Sequence, residues 1–209
     1  MKSVKSVCPP NLGWIESTLE QNEVDFLWEA IKRSERNMKS DLAGNIDSSY
    51  KINDKNNWFF YNVLMKLGFL YEKEFANLGW NYPTPNKHPY YLDSFWVNYQ
   101  KQHEFNPIHH HKGVYSFVIF LQIPTNYEDQ KKNPIALSNT NAISNFNFLY
   151  QDILGRTETY TYEMSKRCEG IILFFPSQLN HGVNPFYNCE EDRITISGNI
   201  CLDTREVML

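Results

Sequence analysis

The sequence predicts a mainly β protein preceded by helices, and three observations carry that expectation. Between residues 90 and 203 lie five short runs rich in Val, Ile, Phe, Tyr and Thr: YYLDSFWVNYQ, VYSFVIFLQIP, FNFLYQD, GIILFFP and RITISGNICLD. No long helical pattern separates them, which favours an antiparallel sandwich or barrel over a parallel sheet. Before residue 80 the apolar residues repeat with helical spacing instead.

The helices come first. In NEVDFLWEAIKRSER, Val24, Leu27, Trp28 and Ile31 fall at i, i+3, i+4 and i+7, with Asn22 as the expected N-cap and Asp25 three residues on. DKNNWFFYNVLMKLGFLYEKEFANLG predicts a second helix, with Phe60, Val63, Leu64, Leu67, Tyr71, Phe75 and Leu78 on one face and Gly79 placed to stop it. Both helices are expected to pack on the sheet. WNYPTPNKHP holds three prolines in ten residues and reads as a connector. An N-terminal helical part, residues 1–85, is therefore expected against a β core, residues 86–209. The polar segment 125–145 is too long for a simple hairpin loop and reads as a lid or a surface insertion.

Composition narrows the function. A chain of 209 residues with 15% aromatics can bury a core. Its net charge is −4 and no basic stripe stands out, so nucleic acid and anionic membranes are not expected partners. MKSVKSVCPPNLGW lacks the apolar core of a signal peptide, and no run approaches the ~20 apolar residues that cross a bilayer. The four cysteines include no C-x-x-C pair and read as bystander thiols in a cytoplasmic setting.

Chemistry concentrates in NPIHHHKGVYSFVIF, residues 106–120, which holds three of the six histidines. Side chains alternate faces along a strand, so His109 and His111 can project together while His110 points away. Two imidazoles rarely hold a divalent metal tightly. A third candidate is His181, in GIILFFPSQLNHGVNPF, whereas His88 and His103 sit in polar or proline-flanked surroundings. Arg193 opens RITISGNI beside apolar neighbours and needs a partner for its charge if it points inward, and Thr195 shares its face. On the residues alone, His181 could equally be a solvated loop histidine and Arg193 an edge-strand arginine facing water.

In order along the chain, Trp96-Val97-Asn98, His109-His110-His111, Phe175-Pro176-Ser177 with His181, and Arg193-Ile194-Thr195-Ile196-Ser197-Gly198-Asn199 resemble the iron(II)- and 2-oxoglutarate-dependent dioxygenases. The narrower resemblance is to oxygenases, several of them phage-encoded, that share the WVN, H-x-H and FPS-x-x-x-H…R-x-x-I-S-x-N motifs. It spans roughly residues 90–203. The family implies a double-stranded β-helix, or jelly-roll, core that binds Fe(II) and uses 2-oxoglutarate as co-substrate. Carried over by position, His109 and His181 are metal ligands, Arg193 anchors the far carboxylate of 2-oxoglutarate, and Thr195 stands where relatives often place a serine for the same carboxylate.

One position departs from the wider superfamily, which mostly uses H-x-D. Here the carboxylate is replaced by His111. Either His111 itself ligates, as the narrower H-x-H pattern suggests, or Glu104 or Asp152 supplies an oxygen. The implied reaction is prolyl-hydroxylase-like hydroxylation of a small-molecule or peptidyl substrate, consuming O2 and releasing succinate and CO2. Trp96, Asn98 and, counted onto the His111 face, Tyr115 are candidate pocket residues, or else members of a packed aromatic core. The alternative is a metal-binding cupin-type or inactive jelly-roll protein without 2-oxoglutarate turnover. A buried Arg193 separates the two, because a structural metal site has no use for that cation.

Overall fold

The structure, a computed structural model, describes residues 3–34, 37–84, 86–136, 138–140 and 142–205. The strands are β1 (Ile15–Thr18), β2 (Ser48–Lys51), β3 (Tyr90–Gln100), β4 (Asn106–His109), β5 (Tyr115–Gln122), β6 (Asn145–Gln151), β7 (Thr157–Glu163), β8 (Ile171–Pro176), β9 (Asn180–Val183) and β10 (Arg193–Leu202). Among the described residues three α-helices accompany them: α1 (Gln21–Ile31), α2 (Met65–Glu74) and the single turn α3 (Tyr127–Gln130).

The strands form two antiparallel sheets. The major sheet runs β1-β8-β5-β10-β3-β2 and the minor sheet β4-β9-β6-β7. Each of the five expected runs is a strand, and the chain is mainly β as the sequence predicts. The N-terminal part contributes more than helices, because β1 and β2 close the two edges of the major sheet. The division expected between residues 85 and 86 abuts residue 85, which lies outside the described residues.

Strand alternation sorts the core into two layers. On β5, Tyr115, Phe117, Ile119 and Leu121 face the helices and join Leu27, Leu64, Leu67 and Tyr71 in one cluster. Val118 and Phe120 face the other way, onto Phe146, Phe148, Leu173 and Phe175 between the sheets. Both faces of β5 are thus covered, and its sequence is accordingly an almost unbroken apolar run.

Both helices pack on the major sheet, but their ends differ from expectation. The cap of α1 is Glu20, not Asn22: a box forms with Glu23, whose Oε2 accepts the Glu20 N–H at 2.8 Å. The second helix is not continuous from residue 54. Asn56 and Asn57 adopt left-handed backbone angles, and Asp54 then accepts the N–H groups of Phe59 and Phe60 at 2.9 and 2.8 Å. A π-helical turn, Phe60–Leu64, leads into α2, which ends at Glu74. Gly79 does not stop it and sits inside a later 3-10 turn. There a side chain would come within 2.7 Å of the Tyr90 hydroxyl, so glycine serves close approach rather than termination. Segment 125–145 packs Tyr127 and Ile143 against Tyr187, in the loop that leads into β10.

Candidate metal centre

The histidines meet between the sheets. His109 ends β4 and lies directly opposite His181 on β9, with ring centroids 4.4 Å apart. His111 stands two residues beyond the strand, where its backbone N–H donates to the Ser177 carbonyl at 2.8 Å. Its ring lies 4.9 Å from that of His109 and 5.0 Å from that of His181. One nitrogen from each of the three falls within 4.8 Å of the others, and among the described residues no second such group of His, Cys, Asp or Glu exists. His110 is exposed, as alternation predicts.

Hydrogen bonding settles which nitrogens face inward. His109 Nδ1 contacts the Pro107 carbonyl at 2.7 Å and His181 Nδ1 the Leu179 carbonyl at 2.9 Å. A carbonyl can only accept, so Nδ1 carries the proton in both rings and Nε2 keeps its lone pair. Burial pushes the pKa of each ring down, to about 4 for His111, and the neighbouring imidazoles push the same way for His111 and His181. At neutral pH these are uncharged donors, the state a metal needs.

Neither carboxylate considered from the sequence joins them. Glu104 is bound to a backbone turn, accepting from the N–H groups of Asp47 at 3.0 Å and Lys101 at 2.8 Å. Asp152 pairs with Arg156 at 2.6 Å at the β6–β7 hairpin tip. His88 bonds the Asp203 carbonyl, and the His103 ring packs on Tyr187. The four cysteines are free thiols outside the cluster.

Arg193 points inward and is wholly buried. Its guanidinium lies over the Phe186 ring at 4.8 Å, and Nη2 donates to Ser144 Oγ at 2.6 Å. Nε and Nη1 have no partner, and no carboxylate pairs with the guanidinium among the described residues. Burial pushes its pKa down to about 10, which still leaves it charged at neutral pH. A buried charge with open donors has an unmet need for an anion. Arg193 and Thr195 line the same cavity as the three histidines.

Trp96 and Asn98 also line it, and the Trp96 ring meets His111 edge-on at 5.8 Å. Tyr115 does not. Its ring packs among Tyr71, Tyr90 and Phe174 on the helix side of the major sheet. The turn at residues 111–114, with Gly113 at φ +109°, resets the alternation that placed Tyr115 with His111. Sequence reasoning missed Ser144 and Phe186, the two groups that grip Arg193, and neither carries a local signal. A surface groove of about 810 Å³ between α1 and the β2–β3 edge lies apart from this centre.

Residues 94–199 match the sequence family described as "Putative 2OG-Fe(II) oxygenase". The chain belongs to this family. It is therefore an oxidoreductase of a family that uses iron(II) and 2-oxoglutarate, and the histidine cluster offers a donor set that fits the metal. No curated protein matches it. Among solved structures the oxygenase is similar to the viral collagen prolyl hydroxylase of Paramecium Bursaria Chlorella virus-1 in its 2OG complex. That match has 11% identity and a TM-score of 0.50, and covers 90% of this chain and 94% of the other. It is also similar to a Pseudomonas putida prolyl-4-hydroxylase, at 14% identity, TM-score 0.48, and 90% and 91% coverage. A 2OG-Fe(II) oxygenase-family oxidoreductase from Burkholderia pseudomallei gives 12%, 0.49, and 87% and 80%. At these identities the likeness is one of fold, the jelly-roll core expected from the sequence. No helix among the described residues is long and apolar enough to cross a membrane.

Proposed function

We propose that this oxygenase hydroxylates a C–H bond of a small-molecule or peptidyl substrate, in the manner of prolyl hydroxylases. His109, His111 and His181 would hold iron(II), and Arg193 with Thr195 would hold the distal carboxylate of 2-oxoglutarate. The observation that carries the reading is the buried guanidinium of Arg193, which has two unpartnered nitrogens, on a residue that lines the cavity of the three histidines. A structural metal site or a cupin without this co-substrate has no use for such a group.

Bound iron, with 2-oxoglutarate and dioxygen, supplies the oxidising power that places oxygen in a C–H bond while succinate and CO2 are released. The chain's own residues do the rest. The imidazoles of His109 and His181 are held by backbone carbonyls with Nε2 turned inward. Arg193 offers hydrogen bonds to a carboxylate from a planar group of fixed geometry. Trp96 and Asn98 form the wall that we assign to substrate, and Val118, Phe120 and Phe146 keep the cavity apolar. We read residues 1–85 as an extension built onto the 86–209 core, because their apolar residues complete its helix-side cluster.

The test is succinate formation by iron-loaded protein given 2-oxoglutarate and a panel of peptides and small molecules. Arg193→Leu is expected to keep its metal and lose turnover. A metal-loaded wild-type protein that forms no succinate with any of them would sink the reading.

A further inference from the structure

Arg193 poses a second question, which is how a buried guanidinium keeps one orientation with no carboxylate to hold it. Among the described residues its guanidinium hydrogen-bonds to one residue. Nη2 donates to Ser144 Oγ at 2.6 Å and reaches the Ser144 carbonyl at 3.5 Å. Ser144 is itself fully buried and adopts φ +54°, a left-handed conformation that serine rarely takes. The strain is held from two sides. The Ser144 N–H donates to the Pro185 carbonyl at 2.8 Å, and its hydroxyl pairs with Thr125 Oγ1 at 3.4 Å. Phe186, directly after Pro185, supplies the ring beneath the guanidinium.

We infer that Ser144 is a positioning residue that fixes the Arg193 guanidinium through Nη2 and so leaves an unpartnered N–H of that group for the distal carboxylate of 2-oxoglutarate. The inference rests on the co-substrate role given to Arg193 above. Its physical content is the choice of partner. A neutral hydroxyl orients the cation without neutralising it, whereas a carboxylate at 144 would satisfy the charge internally and compete with the dicarboxylate. The strained backbone points the same way. A left-handed non-glycine residue is strained and persists where the surroundings over-determine it. Here the hydroxyl is what the strain puts in place.

The experiment separates orientation from general damage. Manganese-loaded, redox-inert protein is titrated calorimetrically with 2-oxoglutarate and with 2-oxobutyrate, which lacks the distal carboxylate. Ser144→Gly removes the hydroxyl but also relieves the backbone strain, so its thermal midpoint should hold or rise. Expected are a loss in 2-oxoglutarate affinity on the order of tenfold, unchanged 2-oxobutyrate affinity and unchanged manganese affinity. Ser144→Asp should abolish 2-oxoglutarate binding while keeping the metal. Undiminished 2-oxoglutarate affinity in Ser144→Gly, or an equal loss for both ligands, overturns the positioning role. If wild-type protein does not distinguish the two ligands, or Arg193→Leu distinguishes them as wild type does, the co-substrate reading fails first and this inference with it.

Discussion

His109 and His181 face each other across two neighbouring antiparallel strands, 72 positions apart in the chain, with their rings 4.4 Å apart. The sheet register itself sets the two residues opposite each other. His111 completes the set from a turn anchored on Ser177.

That arrangement makes ligand loss specific. His109→Ala, His111→Ala and His181→Ala should each lower Mn(II) or Fe(II) affinity by roughly a hundredfold or more, since removing even a supporting outer group costs about 10–100-fold. His111→Asp should retain binding, because a carboxylate is an ordinary third ligand for such a site. Anaerobic calorimetry reads both outcomes, and full affinity in His111→Ala would remove that residue from the metal.

A donor set made only of imidazole nitrogens should also bind Zn(II) and Cu(II) more tightly than Fe(II). Competition of either ion against iron, followed as loss of succinate formation and recovered by chelation and reloading, checks this.

The same histidines set an acid limit. Their pKa values are depressed in the folded protein, to about 4 for His111, while the unfolded chain takes up protons near 6.5. Their contribution is therefore fully present above pH 6.5 and is lost as pH falls below it, for His111 through about 4. Urea midpoints of metal-free protein should decline across that window, and the decline should be shallower in His111→Asn.

At the alkaline end the tyrosines between α2 and the major sheet take over. Burial pushes Tyr115 up to about 12 and raises Tyr71 and Tyr90 further, against about 10 in the unfolded chain. Stability present below pH 10 should drain away as pH rises through 12. Thermal midpoints paired with absorbance at the tyrosinate band would show unfolding and ionisation together.

Gly198, in the middle of β10, tests the close fit of the two central strands. A side chain there would come within 2.6 Å of both the Phe117 ring and the Ser94 carbonyl. Gly198→Ala should cost about 1–3 kcal/mol in urea denaturation. An unchanged midpoint would mean that β3 and β5 can yield at this point.

Much of this was legible in the sequence, and the parts that were not share a cause. The five long strands could be read because each buries a regular apolar face. The rare, inward-alternating histidines and the arginine at a strand start could be read because polar residues in such places need a reason. β9 could not: Asn-His-Gly-Val has no strand-forming composition and is a strand only because β4 and β6 flank it. Tyr115 was misplaced because period-2 counting does not survive a turn with a left-handed glycine. Ser144 and Glu104 found partners 49 and 57 positions away in the chain, which no local pattern encodes.

The central strand β10 lies between β3 and β5, and the opposed histidines sit on β4 and β9. During synthesis, therefore, the pocket cannot assemble until nearly the last residue of the sheet has left the ribosome. A chain truncated before residue 193 should lose the strand between β3 and β5 and the cation of the pocket, although β4 and β9, which set His109 opposite His181, lie wholly upstream of the cut.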